Sequence, residues 1–518
     1  MKKIENIHDA IENNRLFREK MLSDSYRPKY HFAIPEDIGL PGDPNDAFYA
    51  NGRYHLMYLY NCRSDKFRFG HISSVDLLHW RSHPDALIPD ELDGGIFSGG
   101  AFVDDDGTVY ITYWALPVDG SGGNGGIRIA FSKDIENHYE KWEKIDGYAV
   151  ECTEGGVHET YGENMEKQFL CCADPSNIWE KDGVYYMQSG NLPVLNKFRN
   201  DESAPKYYKG DWTDLYSSSD MKNWKYLHRF YQRNINNDWT DETEDDMCPS
   251  FLPIPNTKDG GASDKYLQLF ISHNKGCQYY IGVYDRENNV FIPEKHGRMS
   301  WVDNTFFAPE ALVDKNGRQI MWSWLIDNPS DEFERGWSGV FSIPRTLWLD
   351  KDGNLGIAPV SELKKLRYNH TNTLDITYGK SCEIKIDIDM KSAEKAGLKV
   401  RCTPDESEYT LIYYDRTANK IIFDATKSGT QGDPAKVSQL TPPSQVEGAP
   451  FVLKDSEILS INIFIDNSVI DVFVNDRQAI TRRVYNECKD SREIRLFSEG
   501  DIDIKSLDVW EIAPTNFY

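Results

Sequence analysis

The chain has 518 residues, enough for about two to three domains of ordinary size. Its formal net charge of −25 repels phosphate backbones and anionic lipid, which argues against nucleic acid and membrane partners and leaves neutral polar molecules such as sugars unpenalised. Aromatic residues make up 13% of it against few helix-type periodic runs, so strands are expected to dominate.

Residues 1–29 read as an N-terminal helical segment. Ile4, Ile7, Ile11, Phe17 and Met21 recur at near-helical spacing and predict a short amphipathic helix over 4–21, packed on the main domain. Lys2 and Lys3 are followed by Glu5, Asp9 and Glu12, without the apolar core of a signal peptide. A cytoplasmic location is therefore expected, export requiring a leader ahead of this sequence. No apolar run approaches the roughly 20 residues that span a bilayer. Nine cysteines, an odd number, lie mostly in apolar runs, and Cys171-Cys172 is adjacent rather than C-x-x-C. Reduced, buried thiols are expected, with neither metal nor cofactor.

From about residue 30 to 360 the chain repeats itself. Five times an apolar strand leads through a Gly-containing turn into an aromatic strand. The turns are Asn51-Gly52, Asp105-Asp106-Gly107, Lys181-Asp182-Gly183, Lys258-Asp259-Gly260 and Lys315-Asn316-Gly317. Their return strands read Tyr54–Tyr60, Val109–Trp114, Val184–Gln188, Tyr266–Ser272 and Gln319–Trp324. Copies 55 to 77 residues apart, each worth a small antiparallel sheet, fit the blades of a five-bladed β-propeller. From 370 to 518 the alternation becomes regular, as in Cys382–Ile388 and Val469–Val474, and predicts a C-terminal β-sandwich. The fold class is all-β.

Aligning the copies on their turns gives the functional reading. Nine residues before the turn glycine stand Asp43, Ser98, Asp174 and Ala308, and all but Ser98 precede a proline. In the fourth copy Cys248-Pro249 takes the same step. The innermost strand of each blade lines a propeller's central channel, so Asp43 and Asp174, 131 residues apart, are expected to meet in one axial pocket. Two or three carboxylates in an aromatic pocket suit cleavage of a glycosidic bond. One must be ionised to attack the sugar carbon, and another must hold a proton for the leaving oxygen. For that proton donor the run Asp241–Asp246 supplies Asp245 and Asp246, with Glu310 a further candidate. Strand alternation puts Asp246 on the face of Cys248 and Asp245 on that of Met247, and a bulge would exchange them.

These segments resemble glycoside hydrolase family 32, the invertase, inulinase and levanase group. Gly42-Asp43-Pro44-Asn45 resembles its nucleophile motif, Phe97-Ser98-Gly99-Gly100-Ala101 its Trp-Ser-Gly-Ser-Ala element, and Ala173-Asp174-Pro175 its Arg-Asp-Pro motif. Phe307-Ala308-Pro309-Glu310 and Gly336–Arg345 are similar to its fifth blade, and Ile461–Asp476 to its sandwich. The resemblance implies retaining cleavage of β-fructofuranosidic bonds (fructan, fructo-oligosaccharide or sucrose-like) through a fructosyl-enzyme. Carried over, Asp43 is the nucleophile and Asp174 the transition-state stabiliser, with Asp246 assigned as acid/base. Asn45, Phe97, Ser98, Glu310 and Trp324 are assigned to substrate binding. The departures lie in the pocket. Gly42 stands for an Asn, Leu59 for a Gln, Ala173 for an Arg and Met247 for the acid Glu before Cys-Pro. They leave two alternatives open: a fructosyltransferase making difructose anhydrides or oligosaccharides, and a catalytically silent sugar-binding protein. A homodimer is compatible with the large sandwich surface and not demanded by it.

Overall fold

The computed structural model describes residues 5–34, 39–62, 65–118, 123–162, 164–302, 304–326, 337–374, 381–429 and 445–515. Ile4 of the expected helix and Gly336 of the fifth-copy motif lie outside them. The helix runs Ile7–Ser23 and starts at Asn6, whose side chain accepts from the His8 and Asp9 amides at 2.8 and 3.2 Å. Its packed face differs from the expected one. Asn13, Phe17 and Met21 turn inward, while Ile7 and Ile11 are exposed, because the start of the helix projects beyond the core and its face is covered only from Asn13 onward.

Five antiparallel sheets follow in chain order. The first is a meander of Gly39–Ala50, Arg53–Cys62, Arg68–Ser74 and Arg81–Leu87. The fourth repeats it with Met247–Pro253, Tyr266–Ser272, Gly276–Asp285 and Val290–Arg298. In the second and third sheets the first strand is split. Ile96–Phe97 and Ala101–Val103 both pair Val109–Ala115, and Ala173–Pro175 and Trp179–Lys181 both pair Val184–Gly190. The fifth sheet holds Phe306–Val313, Gln319–Leu325, Ser338–Phe341, Arg345–Leu349 and Leu355–Pro359. It is completed by Ala33–Ile34 from the start of the chain, with Ala33 opposite Val340.

The aligned X-Pro positions share one distortion. Each lies where the ladder slips, between Pro41 and Pro44, Ala173 and Pro175, Met247 and Ser250, and Phe307 and Glu310. Proline has no N–H to give the ladder, so the strand bulges and the residue before it leaves the pleat. Asp174, Cys248 and Ala308 accordingly sit at φ of 41°, 48° and 46°, a left-handed conformation that costs a non-glycine residue of order 1–3 kcal/mol. Asp43 shares the bulge, and the positive φ there falls on Asp46, at the strand's second slip.

Residues 367–512 form two facing antiparallel sheets, one around Ser381–Asp389 and Leu459–Asp466, the other around Lys395–Cys402 and Thr410–Asp415. The alternating Ile384, Ile386, Ile388, Leu398, Val400, Ile412, Ile461 and Ile463 close their shared core. A second apolar body is continuous from the first, fourth and fifth sheets (Leu56, Leu269, Trp322, Leu347) to Phe464, Phe473 and Ile512 of the C-terminal region. One expectation is corrected here: Cys152 and Cys172 are joined in a disulfide rather than left as two thiols. The hairpin Val157–Cys171 folds back to bring them together, a proximity that a separation of 20 residues does not announce.

Candidate active site

The bulges aim side chains from three sheets at one point. Asp43 and Asp174 are nearly buried, and Cys248 Sγ lies between them, 3.7 Å from Asp43 Oδ2 and 3.5 Å from Asp174 Oδ2. Ser98, from the second sheet, donates to Asp43 Oδ2 at 2.5 Å. Four of the five aligned positions thus converge, and Ala308 closes the fifth side as part of an apolar cluster with Ala173, Met247, Ile271 and Phe307. Burial raises the pKa of Asp43, and the Ser98 bond, the charge of His273 and the Cys248 thiol only partly offset it. Burial and the neighbouring Asp43 push Asp174 up to about 7.

Aromatic side chains wall the carboxylates. Phe97 meets Trp114 edge-on at 5.9 Å, and Trp324 meets Phe307 at 6.1 Å. The indole N–H groups of Trp114 and Trp324 are buried and have no acceptor among the described residues. The half-buried rings of Phe97, Trp114 and Trp324 can meet the apolar face of a sugar.

The remaining residues singled out in the sequence fall elsewhere. Asn45 braces the strand that carries Asp43, its amide donating to the Asp43 carbonyl at 3.1 Å. Glu310 accepts from the Ala47 amide at 2.8 Å, and burial and the adjacent Asp46 raise its pKa well above the usual range. It supports the same strand from the fifth sheet and is not brought to the Asp43–Asp174 pair. Asp246 is likewise not brought there. It is fully buried, accepts from Gln268 Nε2 at 2.7 Å, and has its pKa raised by burial and by Asp211 and Asp245. Its carboxyl has no exposed surface in this structure and bonds Gln268 rather than either member of the pair. The bulge at Cys248 turns Cys248, not Asp246, towards the pair.

Asp245, on the face of Met247, binds a residue the sequence reading passed over. Asp245 Oδ2 lies 2.8 Å from His273 Nδ1, and Asp245 Oδ1 accepts the His273 amide at 3.0 Å. The only signal in the sequence was a histidine ending an apolar strand, which alone says little. Among the described residues no cluster of three or more His, Cys, Asp or Glu is arranged to hold a metal ion. A cleft of about 440 Å³ between the fifth sheet and the C-terminal sheets, lined by Lys258, Arg318, Lys364, Arg367 and Lys385, contains none of these carboxylates.

The comparisons bear on this arrangement. The family model of the glycosyl hydrolases family 32 N-terminal domain matches residues 31–359, and that of the family 32 C-terminal domain matches 359–511. The chain belongs to glycosyl hydrolases family 32. A sucrose-6-phosphate hydrolase of Zymomonas mobilis is 27% identical over 99% of this chain and 97% of its own. Fructan 1-exohydrolase w3 of Triticum aestivum is 31% identical over 70% of this chain and 59% of its own. The crystal structure of fructan 1-exohydrolase IIa from Cichorium intybus superposes with a TM-score of 0.76 at 21% identity, covering 95% of this chain and 98% of that one. At that identity the last likeness speaks for the fold alone. Within this family 32 protein the four departures fall into two packed pairs. A Cβ on Gly42 would stand 2.9 Å from Leu59 Cδ2, so the leucine occupies the space of a side chain at 42. Ala173 and Met247 share one apolar cluster, so the family's arginine and glutamate are absent together and neither charge is left unpaired.

Proposed function

We propose that the protein hydrolyses β-fructofuranosidic bonds with retention of configuration. The observation that carries this reading is the convergence of Asp43 and Asp174, from different sheets, on the Cys248 sulfur within an aromatic wall. The ionised Asp43 attacks the anomeric carbon as its bond to the leaving oxygen breaks, giving a fructosyl ester. Asp174 faces the positive charge that develops and accepts from sugar hydroxyls. Water then cleaves the ester. Ser98 holds Asp43 in line. The names of the relatives, sucrose-6-phosphate hydrolase and fructan 1-exohydrolase, agree with a fructosyl unit on one side of the bond.

The same reading takes the five sheets as blades of one propeller over 30–360, followed by the sandwich over 370–518. The entry of Ala33–Ile34 into the fifth sheet supports it, since that strand ties the first copy to the last. Turnover of a panel of fructosides, with Asp43→Asn as control, tests the assignment. The variant is expected to lose about 10⁴-fold or more in kcat. Unchanged turnover would remove Asp43 from the chemistry. Free fructose released one for one with the leaving group distinguishes hydrolysis from transfer.

A further inference from the structure

The family's acid is absent, since Met247 occupies its position and is buried among Ala173, Ile271, Phe307 and Ala308. A retaining glycosidase without a proton donor must expel its leaving group as an alkoxide, at a cost of roughly 10²–10⁴ in rate. The fourth sheet shows what stands nearest that gap. Met247 pairs with Ile271 across two antiparallel strands. Continuing that register by one more same-face pair sets Asp245 opposite His273, and the two are hydrogen bonded there. The face that carries Met247 therefore carries a buried carboxylate and an imidazole next to it.

His273 is well held. Its amide and Nδ1 are both taken by Asp245, its carbonyl accepts from Asn304 Nδ2 at 2.8 Å, and its ring lies edge-on to Phe307 at 5.5 Å. Its side chain is 38% exposed while that of Asp245 is 1% exposed, so the ring edge bearing Nε2 is the open end of the pair. An imidazole bound at Nδ1 by a buried carboxylate, with Nε2 presented to a reacting group, is the arrangement in which histidine moves protons.

Resting on the fructosidase reading above, we propose that His273 is the general acid/base of this protein and Asp245 its positioning residue. In the first half-reaction Asp43 bonds to the anomeric carbon as the C–O bond to the leaving group breaks. The departing oxygen takes the proton from Nε2, leaving a neutral imidazole. In the second half, water gives a proton to Nε2 as its oxygen bonds to the anomeric carbon and the Asp43 ester bond breaks. The imidazolium is restored and no co-reactant is consumed.

The charges facing His273 suit the first step. Burial alone would lower its affinity for a proton, but Asp245 outweighs this, with Asp174 and Asp43 adding to it. The imidazole is held above its ordinary value. The fifth sheet contributes Phe307 and no charge to this contact. These carboxylates favour the charged imidazole, the form that can give a proton when the bond to the leaving group breaks.

The test compares two substrates with the same fructosyl unit, methyl β-D-fructofuranoside and p-nitrophenyl β-D-fructofuranoside. Nitrophenolate departs without a proton and methoxide does not. His273→Gln is expected to lose about 10²–10⁴-fold in kcat/KM on the methyl glycoside and less than about tenfold on the aryl one. Azide, which attacks the ester without a base, is expected to restore turnover of the aryl substrate as fructosyl azide. Equal losses on both substrates, with no effect of azide, would overturn the proposal. Asp245→Asn keeps an acceptor for the His273 amide and removes the charge. The basic limb of its kcat/KM profile is expected to move to lower pH, which decides the matter even where the glutamine variant is poorly folded. An unmoved limb would overturn it. Absence of wild-type turnover and of any nitrophenolate burst would instead sink the fructosidase reading beneath it.

Discussion

Asp43 and Asp174 share a site where only one charge is easily kept, and the Ser98 hydroxyl biases which of them bears it. Its 2.5 Å bond goes to Asp43 and stabilises the ionised form there. Removing it raises the pKa of Asp43, so this carboxyl ionises only at higher pH. Ser98→Ala is therefore expected to move the acid limb of kcat/KM upward by about one pH unit, the size of one charge-assisted hydrogen bond. A pH–rate profile of the two proteins checks it. Met247 gives a second prediction. A carboxylate introduced there by Met247→Glu would lie among Ala173, Ile271, Phe307 and Ala308 with no cation of its own, since His273 is already bound to Asp245. The loss in stability is expected at about 3–5 kcal/mol. Adding Ala173→Arg should recover part of it, read as the midpoint of urea unfolding. The sequence made Asp43, Asp174 and Ser98 legible because each stands nine residues from a turn glycine. His273 was hidden because its bond to Asp245 depends on the strand beside it, and the bulge two residues beyond Asp246, which alternation does not show, turns Cys248 towards the pair.

At the scale of elements, the second strand of each sheet was readable nearly to its ends, because alternation about a Gly turn fixes both strand and register. Side-chain ties between distant elements were not. His31 is one of these. Fully buried, it bonds Asp466 at 2.9 Å and Asp471 at 2.7 Å, clamping the segment after the helix to the C-terminal sheets. Burial disfavours its charge, yet the two carboxylates raise its pKa from 6.5 to about 9. Because the folded value lies above the unfolded one, this stabilisation is complete below pH 6.5 and is lost as pH rises through 9. The first sheet contains the opposite device. His55 and His71 are bonded at 3.0 Å, and His83 stacks on His71 with centroids 4.4 Å apart. Burial, then neighbouring positive charge, lowers His55 to about 3 and depresses His71 as well. The unfolded chain takes up protons below about 6.5, so this sheet loses stability as pH falls from there towards 3. Urea midpoints measured against pH are expected to decline on both sides of a neutral maximum. His31→Ala should flatten the alkaline side and His71→Leu the acid side.

The molecule as a whole joins two architectures through one apolar body. Met21 of the helix, Leu56 and Ile72 of the first sheet, Leu347 and Ile357 of the fifth, Leu363 and Leu366 after it, and Phe464, Phe473 and Ile512 beyond belong to a single buried cluster. Arg345 is embedded at that junction, 4.7 Å over Phe306 and 5.2 Å over Phe473, with its guanidinium 3.2 Å from Asp471 Oδ1. Separating the two parts would expose this cluster and strip the buried guanidinium of its partner, which is a larger cost than opening a polar domain interface. Of the Asp43–Asp174 pair, Asp43 stands on a sheet that contributes to this body, so its placement depends on the same integrity. Heat is therefore expected to unfold the protein in one cooperative transition, with calorimetric and van't Hoff enthalpies agreeing. Phe473→Ala removes the side chain that both Arg345 and the cluster lean on, and should lower stability by about 3–5 kcal/mol. Two separate calorimetric peaks in the unaltered protein would show that the junction does not couple its parts. A variant that lost the first-melting half while keeping fructoside turnover would show the same for function.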